Sequence, residues 1–417
     1  MIIDKIRHQL NKDSGLLKHA SILFFAMTIG NFMNYLFQLY MGRALGPEKY
    51  GILGALISLM YIMTIPGGTI QTFITKYVSK FSVKEPEAIG WILSVTFKKL
   101  LVVGAVFLFL FTIFSPYIAS FLKIPDVSLV ISTGVILVLS LFLPLFYSAL
   151  RGIQDFNGMG LTNIINFTSK LLLGVVLVSL GFGVFGALVS IGTGSLLGII
   201  FSVYLLRKYL LSRKKPKKTD IGFRYFWYVL FTMFFIVLFY NIDIILVKRF
   251  FPPVDAGYYV AASTMAKIIF FISTPIIVAM FPKASEIKEK DQSTYKILKH
   301  TMIYVSILGI LGVVFFNLFP NFVVSMLFGS QYTPTVHMIG LFSLGMLFFS
   351  LINVITQHHM AVDNLSYLPI LTLGAILEVV GIILYHSTLF DVVKIFTISM
   401  AFVFFLLLIL DKKRKKI

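Results

Sequence analysis

The sequence predicts an all-α, polytopic membrane protein with about twelve transmembrane helices, arranged as two parallel six-helix bundles around a central cavity. Of its 417 residues, 58% are hydrophobic and only 13% are charged, whereas soluble domains contain about 25% charged residues. The apolar residues form runs long enough to cross a bilayer as helices. These runs do not alternate in polarity as the strands of a membrane barrel would. In addition, one motif recurs after 206 residues, which indicates two related halves.

Twelve segments are candidate spans, because a membrane helix needs about 20 mainly apolar residues. The first apolar run is too long for a cleavable signal peptide, so it is expected to remain as a membrane anchor. The twelve segments are 18–42, 51–79, 90–115, 128–150, 158–180, 184–207, 225–248, 257–281, 298–319, 335–358, 366–386 and 390–410.

The basic residues divide unequally between the two ends of these spans. If the N-terminus is cytoplasmic, 28 of the 36 Lys and Arg residues fall in cytoplasmic segments and two lie within spans. The six on the outside are Arg43, Lys49, Lys123, Lys248, Arg249 and Lys394. This asymmetry follows the positive-inside rule and predicts a multi-pass protein of the cell membrane with both termini in the cytoplasm. Topology and attraction to anionic lipid therefore account for the net charge of +19, and no nucleic-acid partner is expected.

The repeated motif lies at the first helix hairpin of each predicted half. "LYMGRALGPEKYGILGAL" (39–56) aligns with "ILVKRFFPPVDAGYYVAA" (245–262). The identical pairs are Arg43 and Arg249, Pro47 and Pro253, Gly51 and Gly257, and Ala55 and Ala261. The motif is expected to form the outer turn between the first two helices of each half.

The domain boundaries follow from the basic stretch between the two copies of the motif. We expect an N-terminal six-helix half over 1–210, a basic cytoplasmic linker over 211–224 and a C-terminal six-helix half over 225–417. Because six is an even number, both halves enter the membrane in the same direction, as in a parallel repeat.

Several function classes are disfavoured by what the connecting segments hold. No loop exceeds about 20 residues, which leaves no room for a soluble catalytic domain. No Gly-rich phosphate-binding motif opens a helix, and there is no Walker-type lysine. The chain has no cysteine, and the adjacent His358 and His359 do not share a helix face. Neither a metal nor a cofactor is expected, and the protein is predicted not to be an enzyme.

Four charged residues stand out at mid-membrane positions of the predicted spans, where each costs about 2.5–3.5 kcal/mol on insertion scales. They are Lys170, Asp243, Lys267 and Glu378. Polar neighbours recur at helical spacing. These are Asn31, Asn34 and Gln38 in the first span, Asn163 and Asn166 before Lys170, Ser263 before Lys267, and Ser350, Asn353 and Gln357 in the tenth span.

Two interpretations of these polar residues remain open. They could join helices through hydrogen bonds and buried ion pairs. Alternatively, Lys170 and Lys267 supply one cation in each half of a hydrated cavity that suits an anionic polar cargo. Asp243 and Glu378 would then bind a coupling proton or Na⁺, or pair with the two lysines. The candidate cargo contacts are Lys170, Lys267, Asn34, Asn166, Arg43 and Arg249, although the two arginines lie near outer span ends where interfacial anchoring is the alternative.

A candidate hinge interrupts the second span at "TIPGGTIQT" (64–72). Pro66 removes a backbone donor, and Gly67 and Gly68 loosen the helix. The segment is either a static kink or a hinge for alternating access.

Three stretches resemble the polysaccharide biosynthesis protein family, the Wzx-type O-antigen and repeat-unit flippases. "GRALGPEKYGILGALISL" is similar to its first-hairpin signature, "GGTIQTFITKYVSKF" to its second-span continuation, and "NIDIILVKRFFPPVDAGYYVAAS" to the second-half counterpart. The similarity extends over most of the chain. The chain departs from the family pattern at "FFPPVDAGYY", where a Leu-Gly turn is more usual. The two additional C-terminal spans of the longer lipid II flippases are not expected here, which argues against that group.

The resemblance implies the fold of the multidrug/oligosaccharidyl-lipid/polysaccharide exporter superfamily. It also implies that the protein moves a polyprenyl-(pyro)phosphate-linked oligosaccharide from the inner to the outer leaflet by alternating access. In that setting Lys170 and Lys267 would be cavity cations, and Asp243 would be the acidic residue of the seventh span. The lipid-linked oligosaccharide and the bilayer are the expected partners. A monomer is the expected state, because each half supplies a partner for the other.

The main alternative is an ion-coupled multidrug or cation antiporter of the same superfamily. It would need acidic residues to dominate the cavity, whereas two lysines balance two acids here. A membrane glycosyltransferase is disfavoured because no paired carboxylates occupy an outer loop. A scaffold is disfavoured because it would not need buried charges in both halves.

Overall fold

The computed structural model describes residues 2–212, 214–215, 223–289, 292–362, 364 and 366–414. Over these residues the secondary structure is helical, with no β-strand. A single 3₁₀ helix, Ser330–Thr335, precedes α12. The α-helices are α1 (Ile2–Met63), α2 (Ile65–Lys84), α3 (Ala88–Phe121), α4 (Val127–Gly152), α5 (Phe156–Ser179), α6 (Gly183–Leu210), α7 (Phe223–Phe239), α8 (Ile242–Phe250), α9 (Pro253–Glu289), α10 (Tyr295–Leu318), α11 (Pro320–Leu327), α12 (Val336–Ala361), α13 (Leu368–Leu384) and α14 (Leu389–Arg414).

The apolar helices match the predicted spans closely. Within the described residues, eight helices are long and apolar enough to cross a membrane, or up to ten if each of two bent helix pairs counts as one span. One bent pair, α7 with α8, turns by 44° within the predicted span 225–248. The other pair, α1 with α2, covers the first two predicted spans, and α13 is a shorter apolar helix of 17 residues. The predicted class, an all-helical polytopic membrane protein, is confirmed.

The first copy of the repeated motif is a break inside α1. Gly46 has φ 71° and ψ 169°, a backbone conformation that only glycine adopts without strain. Pro47 follows and opens the next helical piece, where its missing N–H is not needed. This Gly-Pro step explains why an apolar chain is interrupted at this point.

The chain divides into two compact units. Unit 1 comprises residues 1–41, 66–119 and 126–222, and unit 2 comprises residues 42–65, 120–125 and 223–417. The first copy of the repeated motif therefore belongs almost entirely to unit 2, together with the second copy.

Unit 1 packs its helices through small residues, as membrane helices commonly do. A Cβ on Gly192 of α6 would lie 3.1 Å from Ile136 Cγ1 of α4, and a Cβ on Gly104 of α3 would lie 2.9 Å from Val138 Cγ1. The outer face of α3 is apolar and exposed, with Phe109 67% accessible. Lipid chains are the surroundings in which such a face is stable.

Unit 2 is centred on α12, which packs against α9, α10 and α14. In turn, α13 packs on α14, where a Cβ on Gly374 would lie 2.1 Å from Val403 Cγ2 and a Cβ on Gly381 would lie 2.8 Å from Ile395 Cγ2. These two contacts fix the antiparallel register of α13 and α14.

Candidate functional site

Lys170 is a charged residue buried within unit 1. It lies on α5, is 7% exposed, and donates a hydrogen bond from Nζ to Asn34 Oδ1 of α1 at 2.8 Å. The same Nζ lies 4.2 Å from the centroid of the Phe37 ring, a distance at which a cation is attracted to an aromatic face. No described carboxylate of unit 1 lies within 4.0 Å of it. Because an ammonium group has three donors, Lys170 retains capacity to bind an anion.

Asn166 lies one turn before Lys170 and faces α6. A Cβ on Gly194 of α6 would lie 2.6 Å from the main-chain oxygen of Asn166, 3.0 Å from Lys170 Cβ and 3.2 Å from Asn166 Oδ1. The glycine therefore lets α6 approach the polar face of α5 closely. Three of the predicted site residues, Asn34, Asn166 and Lys170, are brought together by α1, α5 and α6.

Asp243 is fully buried in unit 2, at the start of α8 and just after the bend. Its Oδ2 accepts a hydrogen bond from the Tyr259 hydroxyl of α9 at 2.8 Å. Its Oδ1 has no hydrogen-bond partner within 3.5 Å among the described residues. Tyr259 could not be predicted as a partner of Asp243, because its only signal in the sequence is its place in the repeated motif.

Glu378 is the second fully buried carboxyl group of unit 2. It lies on α13 between Gly374 and Gly381, and neither of its oxygens has a partner within 3.5 Å in the described part of the chain. The register of α13 and α14 puts it opposite Ser399, whose buried hydroxyl is also unpartnered. A carboxyl group in such surroundings needs a proton or a bound cation to be stable.

Lys267 is half-buried on α9, one turn after Ser263, a buried residue whose hydroxyl has no described partner. Its Nζ lies 5.1 Å from the centroid of the Tyr240 ring. The charge of Lys267 interacts with Asp243, which also interacts with Glu378. No direct ion pair within 4.0 Å joins these three groups. Unit 2 thus gathers three of the four predicted intramembrane charges.

Arg43 is exposed and binds the C-terminus of α11. Its Nε donates to Leu327 O at 3.0 Å, and its Nη2 donates to Met326 O and, at 3.4 Å, to Ser325 O. A cation at this position satisfies the unpaired carbonyls and the negative end of the helix dipole. In this structure Arg43 therefore stabilises the turn at Gly46 and Pro47, with its donors used inside unit 2.

Two further side chains bind the main chain just before this turn. Gln331 donates from Nε2 to Arg43 O at 3.0 Å, and the buried Tyr332 hydroxyl donates to Gly42 O at 2.7 Å. Neither contact could be predicted from the sequence, because Gln331 and Tyr332 are nearly 300 positions from the residues that they bind and no periodic pattern relates them.

Arg249, the repeat partner of Arg43, has a different environment. It is exposed, and its Cζ lies 5.5 Å from the centroid of the Phe121 ring. The preceding Lys248 was predicted in an outer segment but is only 1% exposed. Its Nζ has no hydrogen-bond partner within 3.5 Å among the described residues, while the charge of Glu48 acts on it.

The candidate hinge lies at a break between helices. The chain leaves the helix at Thr64, and Pro66 occupies the second position of α2, where a missing N–H is tolerated. A Cβ on Gly67 would meet its nearest neighbour, Pro144 Cγ, at 3.6 Å, and a Cβ on Gly68 would meet nothing within 4 Å. The chain also passes from unit 2 to unit 1 between Ile65 and Pro66.

The described residues offer no candidate metal-binding site. No group of three or more His, Asp or Glu side chains that could hold a metal ion occurs among the residues that the structure describes. The arrangement instead offers a buried cation in unit 1 and a buried acidic pair in unit 2, which suits ion and anion binding.

Comparison with known proteins agrees with this architecture. The chain is 27% identical over 306 residues to an uncharacterized membrane protein of Methanocaldococcus jannaschii, covering 69% of this chain and 72% of that one. Among solved structures, it is similar to an inward-facing multidrug resistance MATE family transporter of the MOP superfamily. The TM-score is 0.71 at 13% identity, over 95% of this chain and 99% of the other.

Two further structures share the fold. The lipid II flippase MurJ in an inward closed conformation gives a TM-score of 0.70 at 15% identity, over 95% of this chain and 87% of that chain. A MOP superfamily transporter from Pyrococcus furiosus is described as having a binding pocket of reverse polarity. It gives a TM-score of 0.63 at 16% identity, over 95% of both chains. The chain therefore has the fold of the MOP superfamily transporters. The polysaccharide biosynthesis protein family matches residues 16–288, and the chain belongs to that family.

Proposed function

We propose that this protein moves a polyprenyl-(pyro)phosphate-linked oligosaccharide from the inner to the outer leaflet of the cell membrane by alternating access. Membership of the polysaccharide biosynthesis family supports this class of cargo. The observation that carries the proposal is Lys170, a buried cation held by a neutral amide and an aromatic face. An ammonium group without a bound carboxylate is suited to receive a phosphate.

Lys170 is the expected contact for the cargo's phosphate. A phosphate brings a full negative charge to the Lys170 ammonium, which the neutral Asn34 amide does not, so phosphate competes well with that amide. Asn166, one turn away, offers a neutral amide to the cargo's polar groups. A single cation binds modestly, which allows the cargo to be released in the outer leaflet. Lys267 is the corresponding candidate in unit 2.

Asp243 and Glu378 are the expected coupling site. Both are fully buried and carry oxygens that have no hydrogen-bond partner among the described residues, and their charges interact. Binding of a proton or Na⁺ would relieve this repulsion, and its loss would restore it. An acidic pair of this kind can shift a conformational equilibrium if the ion binds one state better than the other.

The proposal also includes the membrane orientation, the oligomeric state and the hinge of the protein. Both termini lie in the cytoplasm, in agreement with the distribution of Lys and Arg. The protein acts as a monomer and catalyses no covalent chemistry. Pro66, Gly67 and Gly68 serve as the hinge.

An ion-coupled antiporter of multidrug or other cationic compounds is the second candidate. The specific observation in its favour is the buried acidic pair of unit 2, which could hold a cationic compound in place of a coupling ion. In that case cationic dye efflux would require Glu378 and would be indifferent to Lys170.

Equilibrium binding to the purified full-length protein tests the proposal. The probe is a fluorescent polyprenyl-diphosphate sugar, and the variants are Lys170→Ala, Lys170→Arg and, as a matched charge control, Lys296→Ala. We expect Lys170→Ala to weaken binding about tenfold or more, because a hydrogen bond to a charged group contributes about 1.5–3 kcal/mol. Lys170→Arg should retain most of the affinity, and Lys296→Ala should match the wild type. Unchanged binding by Lys170→Ala, with normal membrane insertion, would remove this role.

A further inference from the structure

A cavity of about 400 Å³ lies along α10 and α14 in unit 2. Both helices pack on α12, and the cavity opens between them. Its lining includes Tyr295, Lys299, Ile303, Ile307 and Ile310 of α10, and Asp411 of α14. No residue of the proposed cargo or coupling sites contributes to it.

The wall of this groove is apolar and accessible. Ile303, Ile307 and Ile310 follow one another at helical spacing on one face of α10 and are 42–52% exposed. This face belongs to a helix that is apolar enough to cross the membrane, so hydrocarbon chains are its expected neighbours. The groove thus has the dimensions and chemistry to hold a lipid chain.

One end of the groove is polar. Lys299 is exposed and makes no ion pair within 4.0 Å to a described carboxylate. The exposed Lys296 and His300 flank it on α10. The nearby Asp411 is already engaged, because its Oδ1 lies 2.7 Å from His359 Nε2 of α12. The cation available for a ligand at this end is therefore Lys299.

The polar end is also structurally anchored. Asn364 Nδ2 lies 3.0 Å from His359 Nδ1. Because the amide nitrogen donates, His359 Nδ1 is the acceptor, and the protonated Nε2 donates to Asp411. His358 Nε2 lies 3.0 Å from Thr294 Oγ1, immediately before α10. These contacts tie the ends of α10 and α14 to the same pair of residues on α12, which holds the mouth of the groove in shape.

We propose that this groove is a binding site for one anionic phospholipid of the bilayer. One acyl chain lies along Ile303, Ile307 and Ile310, and the phosphate binds Lys299. Charge complementarity identifies the occupant, because an apolar slot that ends in an ammonium with no described carboxylate partner matches an acyl chain that ends in a phosphate. With the predicted topology, the lipid comes from the cytoplasmic leaflet, where basic residues meet anionic lipids.

The test measures thermal unfolding of delipidated full-length protein as lipid is added. The probes are phosphatidylglycerol and diacylglycerol with the same acyl chains. A ligand that binds the folded state raises the unfolding temperature in proportion to its occupancy. We expect phosphatidylglycerol to stabilise the wild type at a far lower concentration than diacylglycerol.

The variants separate the groove from general attraction to anionic lipid. Lys299→Glu, or the milder Lys299→Gln if the first fails to fold, should raise the half-saturating phosphatidylglycerol concentration about tenfold. Ile307→Trp, which fills the slot, should reduce the stabilisation to the level of diacylglycerol. Lys296→Glu makes the same charge change outside the groove and should behave like the wild type.

Equal lipid stabilisation in wild type, Lys299→Gln and Ile307→Trp would overturn the proposal. Equal losses in Lys296→Glu and Lys299→Glu would also overturn it, because they would indicate a diffuse surface effect. A polyprenyl phosphate serves as a third probe. Stabilisation by this probe but not by phosphatidylglycerol would identify the occupant as a cargo-like lipid and would likewise contradict the proposal.

Discussion

Gly51 and Gly257 lie in direct contact, and they are equivalent positions of the two copies of the repeated motif. A Cβ on Gly51 would lie 2.8 Å from Gly257 N and 3.1 Å from Pro253 O. Conversely, a Cβ on Gly257 would lie 1.8 Å from Pro47 O. Each glycine thus approaches the main chain at the proline of the other copy, which is the reciprocal pattern of a two-fold contact. The repeat read from the sequence is therefore also a packing unit within unit 2.

Substitution of Gly257 by Ala should destabilise the protein. The new methyl group would meet a main-chain oxygen, which cannot move without displacing the outer turn. Overpacking of this kind costs about 1–3 kcal/mol, so the unfolding temperature of the purified protein should fall by several degrees. Gly68→Ala is the control and should not lower the unfolding temperature, because its Cβ would meet nothing within 4 Å. An unfolding temperature for Gly257→Ala equal to that of the wild type would refute the tight contact.

The contacts of the turn at Gly46 and Pro47 were only partly predictable from the sequence. The length of the apolar runs predicted the spans, and the repeated motif predicted a turn between the first two helices of each half, because both patterns are visible in the chain itself. The attachment of Arg43 to α11 was not predictable, because it joins residues more than 280 positions apart through main-chain carbonyls. Nothing in a single sequence encodes which distant helix end a cation will cap.

The two repeat-related arginines should differ in their effect on stability. Arg43 satisfies the carbonyls at the end of α11, whereas Arg249 only approaches the face of Phe121 at 5.5 Å. Truncation of Arg43 to Ala should therefore cost about 1–2 kcal/mol, and Arg249→Ala about 0.5–1 kcal/mol. Thermal unfolding of both variants in the same detergent gives the comparison. Equal losses would mean that the helix-capping contacts do not matter in solution.

Neutral replacements should separate the acidic pair from the cargo site. Asp243→Asn and Glu378→Gln keep the side-chain shape but remove the negative charge, so they cannot exchange a proton and bind a cation only weakly. We expect each variant to insert normally and to bind the lipid-linked sugar, while transport no longer responds to an imposed proton or Na⁺ gradient. Transport assays in proteoliposomes with and without the gradient measure this. If both variants retain the wild-type gradient response, the pair has no coupling role.

Tyr259 offers a finer test of the same pair. Its hydroxyl is the described hydrogen-bond donor to Asp243 at 2.8 Å, and Tyr259→Phe removes that donor alone. The dependence of transport on ion concentration should shift in Tyr259→Phe, whereas the maximum rate should persist. An unshifted ion dependence would show that Asp243 acts without this contact.

The candidate hinge predicts opposite changes in stability and rate. Gly67→Ala and Gly68→Ala both have room for the methyl group, with the nearest neighbours at 3.6 Å or farther. Alanine favours a helix over glycine by about 1 kcal/mol, so the double variant should unfold at a higher temperature. If the segment bends during transport, the same variant should transport more slowly. A stabilised variant with the wild-type rate would make the segment a static break.

The candidate site was predictable in part. A charge in an apolar span is visible in the sequence, so Lys170, Asp243, Lys267 and Glu378 could be named from their positions alone. Their partners could not, because contacts such as Lys170 with Asn34 join residues 136 positions apart. The burial of Lys248 could not be predicted, because a basic residue at a span end normally extends to solvent, whereas here tertiary packing buries it.

The most direct measurement of the central claim is leaflet exposure of a fluorescent polyprenyl-diphosphate sugar in proteoliposomes. The assay compares the wild type with Lys170→Ala/Lys267→Ala, which removes the candidate cation of each unit. The account predicts that the wild type moves the probe across the bilayer and that the double variant, inserted equally well, does not. No movement by the wild type, together with ion-driven efflux of a cationic dye, would contradict the account and favour an antiporter.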